Sequence, residues 1–205
     1  MLLQRRPMTV KHALAALCAA LVPLVATAAA QASAAVAHRS ADSCRAAVTS
    51  PNWRAVFGHD GTLVASKARV KKLQAVGYRT AKSENRGCND FAAVLESPDF
   101  SKYQVRTAFA LEALKGGLVV SYAPPGNAKA KPGDVNVVFG HSATLAAADK
   151  LRARVARSGW RETDVQYAGS RNWTVVWPFV PGSATDQTVQ TALKAGLQVE
   201  LELIG

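Results

Sequence analysis

The sequence contains a duplication, and this feature constrains the fold more than any other. The stretch 138–161, VFGHSATLAAADKLRARVARSGWR, repeats the stretch 56–79, VFGHDGTLVASKARVKKLQAVGYR. The offset is a constant 82 residues without a gap, and nine of the twenty-four positions are identical. The same register extends to Gly87 and Gly169. A period of this length indicates one folded unit that is present twice, and not a solenoid of short repeats.

The first thirty or so residues have the features of a secretory signal peptide. Arg5, Arg6 and Lys11 precede a short apolar run at 14–25, and small residues follow this run. A membrane span needs about 20 apolar residues, and this run is shorter. We therefore predict a signal peptide over residues 1–34, export to the periplasm, cell wall or medium, and no transmembrane segment after processing.

Export determines how the cysteines are interpreted. Cys18 lies in the predicted leader, so Cys44 and Cys88 are the two cysteines of the mature chain. An oxidising compartment favours a disulfide between them, which would connect the segment before the first repeat to that repeat. A reactive thiol is the alternative, and the even number of cysteines in an exported chain favours the disulfide.

The pattern of apolar residues predicts the same order of elements, β-α-β-β-α-β, in each copy. Helices are predicted at 63–76 and 102–115 in the first copy, and at 145–157 and 185–194 in the second. Between the copies lies a segment rich in Pro, Gly and Lys, which is typical of a linker. The predicted division is a signal peptide at 1–34, a lead-in at 35–52, a domain at 53–122, the linker at 123–134 and a domain at 135–205.

Each copy has roughly 70 residues, which is near the lower limit for a single hydrophobic core. Four strands and two helices fit into this length, and packing both helices on one face of an antiparallel sheet gives a ferredoxin-like fold. We therefore predict an α+β protein with two tandem ferredoxin-like βαββαβ domains, each with a four-stranded antiparallel sheet. One face of each sheet is then left uncovered. In the helix at 102–115, the pattern places these residues inward: Val105, Ala108, Phe109, Leu111 and Leu114.

Short motifs follow one another along the second copy. A glycine ends its first strand, small and leucine-like residues mark its first helix, and a Gly-aromatic pair opens its hairpin. The residues that carry these motifs are Gly140, Ala148, Leu151, Val155, Gly159-Trp160 and Trp177-Pro178-Phe179. In this order and spacing the copy resembles the SPOR domain, the sporulation-related repeat of bacterial envelope proteins, in which Gly-Pro-Phe takes the last place.

The resemblance implies a βαββαβ fold and binding to peptidoglycan glycan strands, particularly strands stripped of their peptides. The first copy matches at Gly58, Leu73 and Gly77-Tyr78, but residues 95–98 lack the last motif. The family often has Gln two residues before the first glycine, where this chain has valine in both copies. A second function therefore stays open: a secreted module that binds or inhibits another protein and uses the same fold without sugar.

Two tryptophans of the second copy are the candidate ligand-binding residues. Trp173 and Trp177 are four residues apart on one strand, so they point to the same face of the sheet. Alignment with the family pattern puts both on the uncovered face, where a flat indole can stack on a sugar ring. The residues expected to supply hydrogen bonds around them are Arg171, Asn172, Gln166 and Asn136. The alternative that one or both tryptophans belong to the core stays open.

The first copy has Phe91, Ala93 and Leu95 at the corresponding places, which makes its sheet a poorer ligand site. Packing of this sheet against the second copy is the alternative use for it.

The charge of the chain remains basic after processing. Loss of Arg5, Arg6 and Lys11 with the leader lowers the formal net charge from +11 to +8. Outside the cytoplasm, anionic partners are cell-wall polymers, lipid headgroups or acidic proteins. We expect glycan strands of peptidoglycan or another anionic envelope component as partner, and export argues against nucleic acid.

His59 and His141 occupy equivalent places after Phe-Gly. A general base or a metal ligand is one interpretation, but no Asp, Glu or Cys recurs with them at ligand spacing. We interpret them instead as polar residues that end a strand. Nucleophile-elbow, phosphate-loop and zinc-protease motifs are absent from the sequence, so it predicts no enzyme, no cofactor and no metal site.

Overall fold

The computed structural model describes residues 44–169 and 172–204, so the predicted signal peptide lies outside the described residues. The first repeat consists of β1 (Arg54–Asp60), α1 (Leu63–Ala75), β2 (Lys82–Gly87), β3 (Asp90–Glu96), α2 (Tyr103–Lys115) and β4 (Ser121–Ala123). The second repeat consists of β5 (Asp134–Ser142), α3 (Leu145–Arg157), β6 (Asp164–Gly169), β7 (Asn172–Pro181), α4 (Thr185–Lys194) and β8 (Glu200–Leu203). Short 3₁₀ helices at Pro98–Ser101 and Gly182–Ala184 precede α2 and α4.

The strands form two four-stranded antiparallel sheets with the orders β2-β3-β1-β4 and β6-β7-β5-β8. The predicted α+β class and the predicted order of elements are confirmed. Both strand orders are compatible with two tandem ferredoxin-like domains. In the part of the chain that the structure describes, none of the helices has the length and apolar character that crossing a membrane requires.

The first helix of each repeat begins at a threonine cap. Thr62 Oγ1 accepts a hydrogen bond from the backbone N–H of Ala65 at 3.2 Å, and Thr144 Oγ1 accepts one from Ala147 at 3.2 Å. Each hydroxyl satisfies a donor that the helix itself leaves unpaired at its first turn. The two helices therefore begin at equivalent residues of the duplicated sequence.

The helices of each repeat pack on one face of its sheet. In the first repeat, Leu73 of α1 and Ala113 of α2 share a core cluster with Ala55 of β1. In the second repeat, Val155 of α3 and Ala192 of α4 share a core cluster with residues of β5, β6 and β7. Burial of these apolar side chains is the main driving force for folding of each unit.

The predicted inward face of α2 is partly wrong. Ala108, Leu111 and Leu114 are exposed, whereas Ala110 and Ala113 are buried. Both buried alanines belong to the core cluster of the first repeat. Arg106 lies on this buried face as well.

The opposite face of the first sheet is covered by the second repeat. Val56, Val94 and two alanines of this face form a buried cluster, and α3 lies against β1 and β4. Arg152 of α3 is 1% exposed and donates to the Val56 carbonyl oxygen at 3.3 Å and to Ser121 Oγ at 2.9 Å. The first sheet therefore packs against the second copy. This packing was the alternative that the sequence predicted for a sheet poorly suited to a ligand.

The Arg152 position explains how the duplicated helix acquired this contact. Its counterpart in the repeat is Val70, which packs in the core of the first repeat. Because arginine stands in α3 where α1 has valine, α3 has a polar side chain that reaches the first sheet. Asp149, one turn earlier, accepts a hydrogen bond from Arg152 Nε at 2.8 Å and compensates its charge.

The predicted disulfide is confirmed, because Cys44 and Cys88 are joined with their Cα atoms 5.0 Å apart. The bridge lies beside backbone pairing between the lead-in and the β2–β3 hairpin. The N–H of Cys88 donates to the Cys44 carbonyl oxygen at 3.0 Å, and the N–H of Ala46 donates to the Arg86 carbonyl oxygen at 3.0 Å. The lead-in thus extends the edge of the first sheet.

Candidate functional site

Trp173 lies in the core of the second repeat, so its predicted position on an uncovered sheet face is wrong. The side chain is 7% exposed and belongs to the same cluster as Ala148 and Val155 of α3. Its ring packs edge-on against Tyr167, with the ring centroids 5.1 Å apart. The cause of the error is that β7 is apolar on both faces. Val176, which points the other way, is buried too, so alternation of polar and apolar residues does not reveal the helix side.

Trp177 points to the same side of the sheet as Trp173, as the spacing predicts, but its surroundings differ. It is half-buried, and its ring centroid lies 5.4 Å from that of Trp160. Trp160 in turn lies 5.8 Å from Phe139, again between ring centroids. The two predicted tryptophans therefore have separate aromatic partners and do not form one flat platform.

The other predicted ligand residues are not gathered around Trp177. Asn172 is exposed at the start of β7, and Arg171 lies outside the described residues. Asn136 is half-buried on β5, and its Oδ1 atom has no hydrogen-bond partner among the described residues. Gln166 shares with Trp173 a cavity of about 10 Å³, which holds one water molecule at most.

Trp177 instead lines a cleft of about 280 Å³ between the two repeats, which we call the inter-repeat cleft. Its walls come from α2 of the first repeat, from α4, and from the segment that follows α3. The lining residues with aromatic or charged side chains include Tyr103, Arg106, Trp160, Arg161, Glu162 and Trp177.

The duplication explains why the aromatic wall of this cleft is open. Tyr78 of the first repeat corresponds to Trp160, and Phe109 of α2 covers it with the ring centroids 5.6 Å apart. In the register that aligns Ala113 with Ala192, the counterpart of Phe109 is Thr188, and α4 contains no aromatic residue. No ring from α4 therefore covers Trp160. Only the small residues Thr191 and Ala195 line the cleft on this side.

Arg106 connects the first repeat to the polar side of the cleft. Its Nε donates to Glu162 Oε1 at 3.1 Å, and its Nη2 donates to the same oxygen. The guanidinium carbon lies 4.1 Å from the ring centroid of Trp53, a cation–π contact. The side chain is 8% exposed, so its charge is held in place and is compensated by Glu162.

Arg161 contributes a second positive charge to the cleft. Its carbonyl oxygen accepts a hydrogen bond from the N–H of Tyr122 at 2.6 Å, which fixes the main chain at this point. Its guanidinium has neither a hydrogen bond nor an ion pair to any residue that the structure describes. Burial raises the pKa of the Tyr122 hydroxyl, and the charges of Arg106 and Arg161 oppose this rise.

The two histidines occupy different environments despite their equivalent positions. His59 is buried, with Nδ1 2.8 Å from Asp90 Oδ1 and Nε2 3.7 Å from Asp164 Oδ1. His141 is exposed, with Nδ1 2.9 Å from Thr174 Oγ1. Over residues 44–169 and 172–204, no group of three or more His, Cys, Asp or Glu side chains is arranged to hold a metal ion.

Sequence reasoning missed most of the cleft. Trp160 is marked in the sequence only as part of a Gly-aromatic motif, and no motif marks Tyr103, Arg106, Arg161 or Glu162. One signal was present in the duplication itself. Phe109 covers Tyr78 in the first repeat, and its counterpart Thr188 has no ring that could cover Trp160. The convergence of charged residues from both repeats left no pattern in the sequence.

Comparison with protein-family models and with curated protein sequences finds no match for this chain. A functional proposal therefore depends on the residues and geometry of the cleft.

Proposed function

We propose that this protein is an exported, non-enzymatic binding protein of the bacterial cell envelope that holds part of a glycan strand in the inter-repeat cleft. The observation that carries the proposal is the pair of half-buried rings, Trp160 and Trp177, at 5.4 Å in an open cleft. An indole offers an apolar face to the C–H groups of a sugar and loses little side-chain entropy on binding.

The size of the cleft fits a section of a polymer better than a large compact ligand. Its volume of about 280 Å³ lies just below the range for small-molecule sites, which is roughly 300–1,000 Å³. Tyr103 borders the cleft and is 61% exposed. This ring extends the aromatic surface for a neighbouring sugar unit.

We further propose that both repeats are ferredoxin-like domains of the SPOR type. The strand orders and the packing of helices on one side of each sheet support this assignment. Trp160 and Trp177, which belong to the motifs of the resemblance, also line the cleft. The resemblance is the reason for naming peptidoglycan as the glycan. The disulfide between Cys44 and Cys88 supports export to an oxidising compartment.

The test is retention of the mature protein, residues 35–205, on purified peptidoglycan sacculi before and after amidase treatment. The duplication supplies a matched variant, Trp177→Leu, because Leu95 fills the corresponding position of the first repeat. We expect this variant and Tyr103→Ala to lose about tenfold or more in retention, since stacking aromatics are frequent hot spots. Thermal melts establish that both variants are folded.

The control is Trp173→Phe. Phenylalanine is the residue that the first repeat has at this position, and Trp173 lies in the core outside the cleft. It is expected to retain sacculus binding. Absence of wild-type retention on both preparations would reject the proposal. Unchanged retention by the folded Trp177→Leu and Tyr103→Ala proteins would show that the glycan binds outside the cleft.

A second candidate function is binding of a protein partner through β8. This strand is the edge of its sheet, and Leu201 and Leu203 are 48% and 90% exposed on it. An exposed edge strand with solvent-facing leucines is suited to pairing with a strand of another protein. Crosslinking of the exported protein should then capture a partner that Leu203→Lys releases, with no retention on sacculi. Capture that is equal for wild type and Leu203→Lys would exclude β8 as the contact.

A further inference from the structure

The inter-repeat cleft contains one positive charge that no described side chain neutralises. Glu162 is the carboxylate closest in sequence to Arg161, but both of its hydrogen bonds come from Arg106 of α2. Arg161 itself lines the cleft with a half-buried side chain. The cleft thus combines one compensated ion pair with one available guanidinium.

The main chain that carries this guanidinium is fixed by contacts on either side of it. Trp160 stacks with Phe139 and Trp177, and the Arg161 carbonyl oxygen accepts the 2.6 Å hydrogen bond from Tyr122. The main chain at this point is therefore tied to both repeats. Because the main chain is already ordered, a ligand that binds here has to order only the Arg161 side chain, which favours affinity.

We propose that Arg161 binds a carboxylate of the ligand, so that the cleft selects a sugar ring that bears a carboxylate over the same ring without charge. This inference rests on the proposed function. A half-buried charge without a partner is unfavourable, and a ligand carboxylate would relieve this cost. The planar guanidinium matches a carboxylate with two parallel hydrogen bonds, while the indole rings hold the adjacent sugar ring.

The experiment compares three small probes by calorimetry on the mature protein. N-acetylmuramic acid carries a lactyl carboxylate, its methyl ester keeps the bulk and removes the charge, and N-acetylglucosamine lacks the lactyl group. We expect the acid to bind about tenfold more tightly than the ester at low salt, because hydrogen bonds to charged groups are the stronger ones. The preference should decrease as the salt concentration rises.

Variants assign this preference to one residue. Arg161→Gln is expected to bind acid and ester equally, and Arg161→Lys to keep part of the preference, because a lysine retains the charge without the planar fork. The matched control is Arg79→Gln, since Arg79 is the exposed counterpart of Arg161 in the first repeat. This control should keep the full preference.

Each outcome separates the inference from the proposed function. Equal binding of acid and ester by the wild-type protein overturns the role of the carboxylate and leaves sugar binding in the cleft intact. If folded Arg161→Gln still prefers the acid, another group of the protein binds the ligand carboxylate, and the inference is overturned. Absence of binding to all three probes, together with no retention on sacculi, rejects both proposals.

Discussion

Arg86 of β2 and Asp164 of β6 form a buried ion pair that joins the two repeats. Arg86 Nη1 lies 2.5 Å from Asp164 Oδ1, and Nη2 binds the other carboxylate oxygen. Their side chains are 9% and 3% exposed. Burial alone would raise the pKa of Asp164, but the charge and hydrogen bonds of Arg86 hold it well below its usual range. Both groups are therefore charged in the folded protein at neutral pH.

Removal of one partner of this pair should be strongly destabilising. Arg86→Met leaves the carboxylate of Asp164 buried without its main counter-charge, and we expect a loss of about 3–5 kcal/mol in the free energy of unfolding. The double variant Arg86→Met/Asp164→Leu should recover much of this loss, because no charge then stays buried. Urea unfolding of the four proteins of the cycle measures the coupling.

The control for this cycle is Arg69→Met. Arg69 pairs with Asp60 at 2.8 Å, but its side chain is 37% exposed. Its removal should cost at most about 1 kcal/mol, because solvent screens an exposed pair. Equal losses for Arg86→Met and Arg69→Met would show that burial of the Arg86–Asp164 pair has no energetic consequence.

Acid should weaken the attachment of the lead-in through Glu96. Hydrogen bonds from Lys82 and Ser50, with a further one from Asn52, lower the pKa of Glu96 to about 2. Because this pKa is lower in the folded than in the unfolded state, its stabilising effect is complete above pH 4.5, the ordinary value. The effect is then lost as the pH falls towards the folded-state value.

Glu96→Gln is the variant that isolates this contribution. The difference in unfolding free energy between wild type and variant should be largest near neutral pH, below about 1 kcal/mol because the pair is partly exposed. It should shrink as the pH is lowered from about 4.5 towards 2. Urea titrations across this range measure it, and a difference that does not change with pH would refute the role assigned to the charge of Glu96.

The disulfide should contribute substantially to stability. Cys44 and Cys88 are 44 residues apart in sequence, and closure of such a loop contributes roughly 3–4 kcal/mol in the chain-entropy model. Cys44→Ser/Cys88→Ser should lower the unfolding free energy by this amount, and reductant should have the same effect on wild type but none on the variant. Mass spectrometry of the protein isolated without reductant should find the two peptides joined. Recovery of both as free thiols would show that the bridge does not form in solution.

Gly87 should tolerate no side chain, because it lies where the lead-in meets the hairpin. Its φ is +82°, and a Cβ atom there would lie 1.9 Å from the Cys44 carbonyl oxygen. Gly77 also has a positive φ, +108°, but nothing lies within 4 Å of its Cβ position. Gly77→Ala should cost about 1–2 kcal/mol for the backbone conformation alone. Gly87→Ala should cost more and should slow disulfide formation on refolding. Similar thermal melts for the two variants would argue against the clash.

Trp173→Ala should unfold or severely weaken the second repeat, with a loss of about 3–5 kcal/mol, because the side chain lies in the core. Trp177→Leu should cost clearly less, since Trp177 is half-buried and leucine fills this position in the first repeat. Thermal melts of the two proteins measure the difference. A small decrease in melting temperature for Trp173→Ala would contradict the position of Trp173 in the core.

Local signals were sufficient to predict the elements. The bounds predicted for α3 and α4, 145–157 and 185–194, are the observed ones, and α1 differs by one residue. Helix caps and apolar periodicity act over a few residues, so they can be read without knowledge of the fold. The pairing of Cys44 with Cys88 needed only the count of cysteines outside the predicted leader.

What the sequence by itself determined is the unit: a βαββαβ element order, present twice and tied at its start by a disulfide. Tertiary structure alone decided which face of β7 the helices cover, because Val175 and Val176 are equally apolar and buried. It also decided the position of the cleft, where Arg106 and Glu162 meet across 56 residues of chain. Contacts between the repeats depend on how two finished surfaces fit together, and that fit is a property of the packed structure that no short pattern of residues encodes.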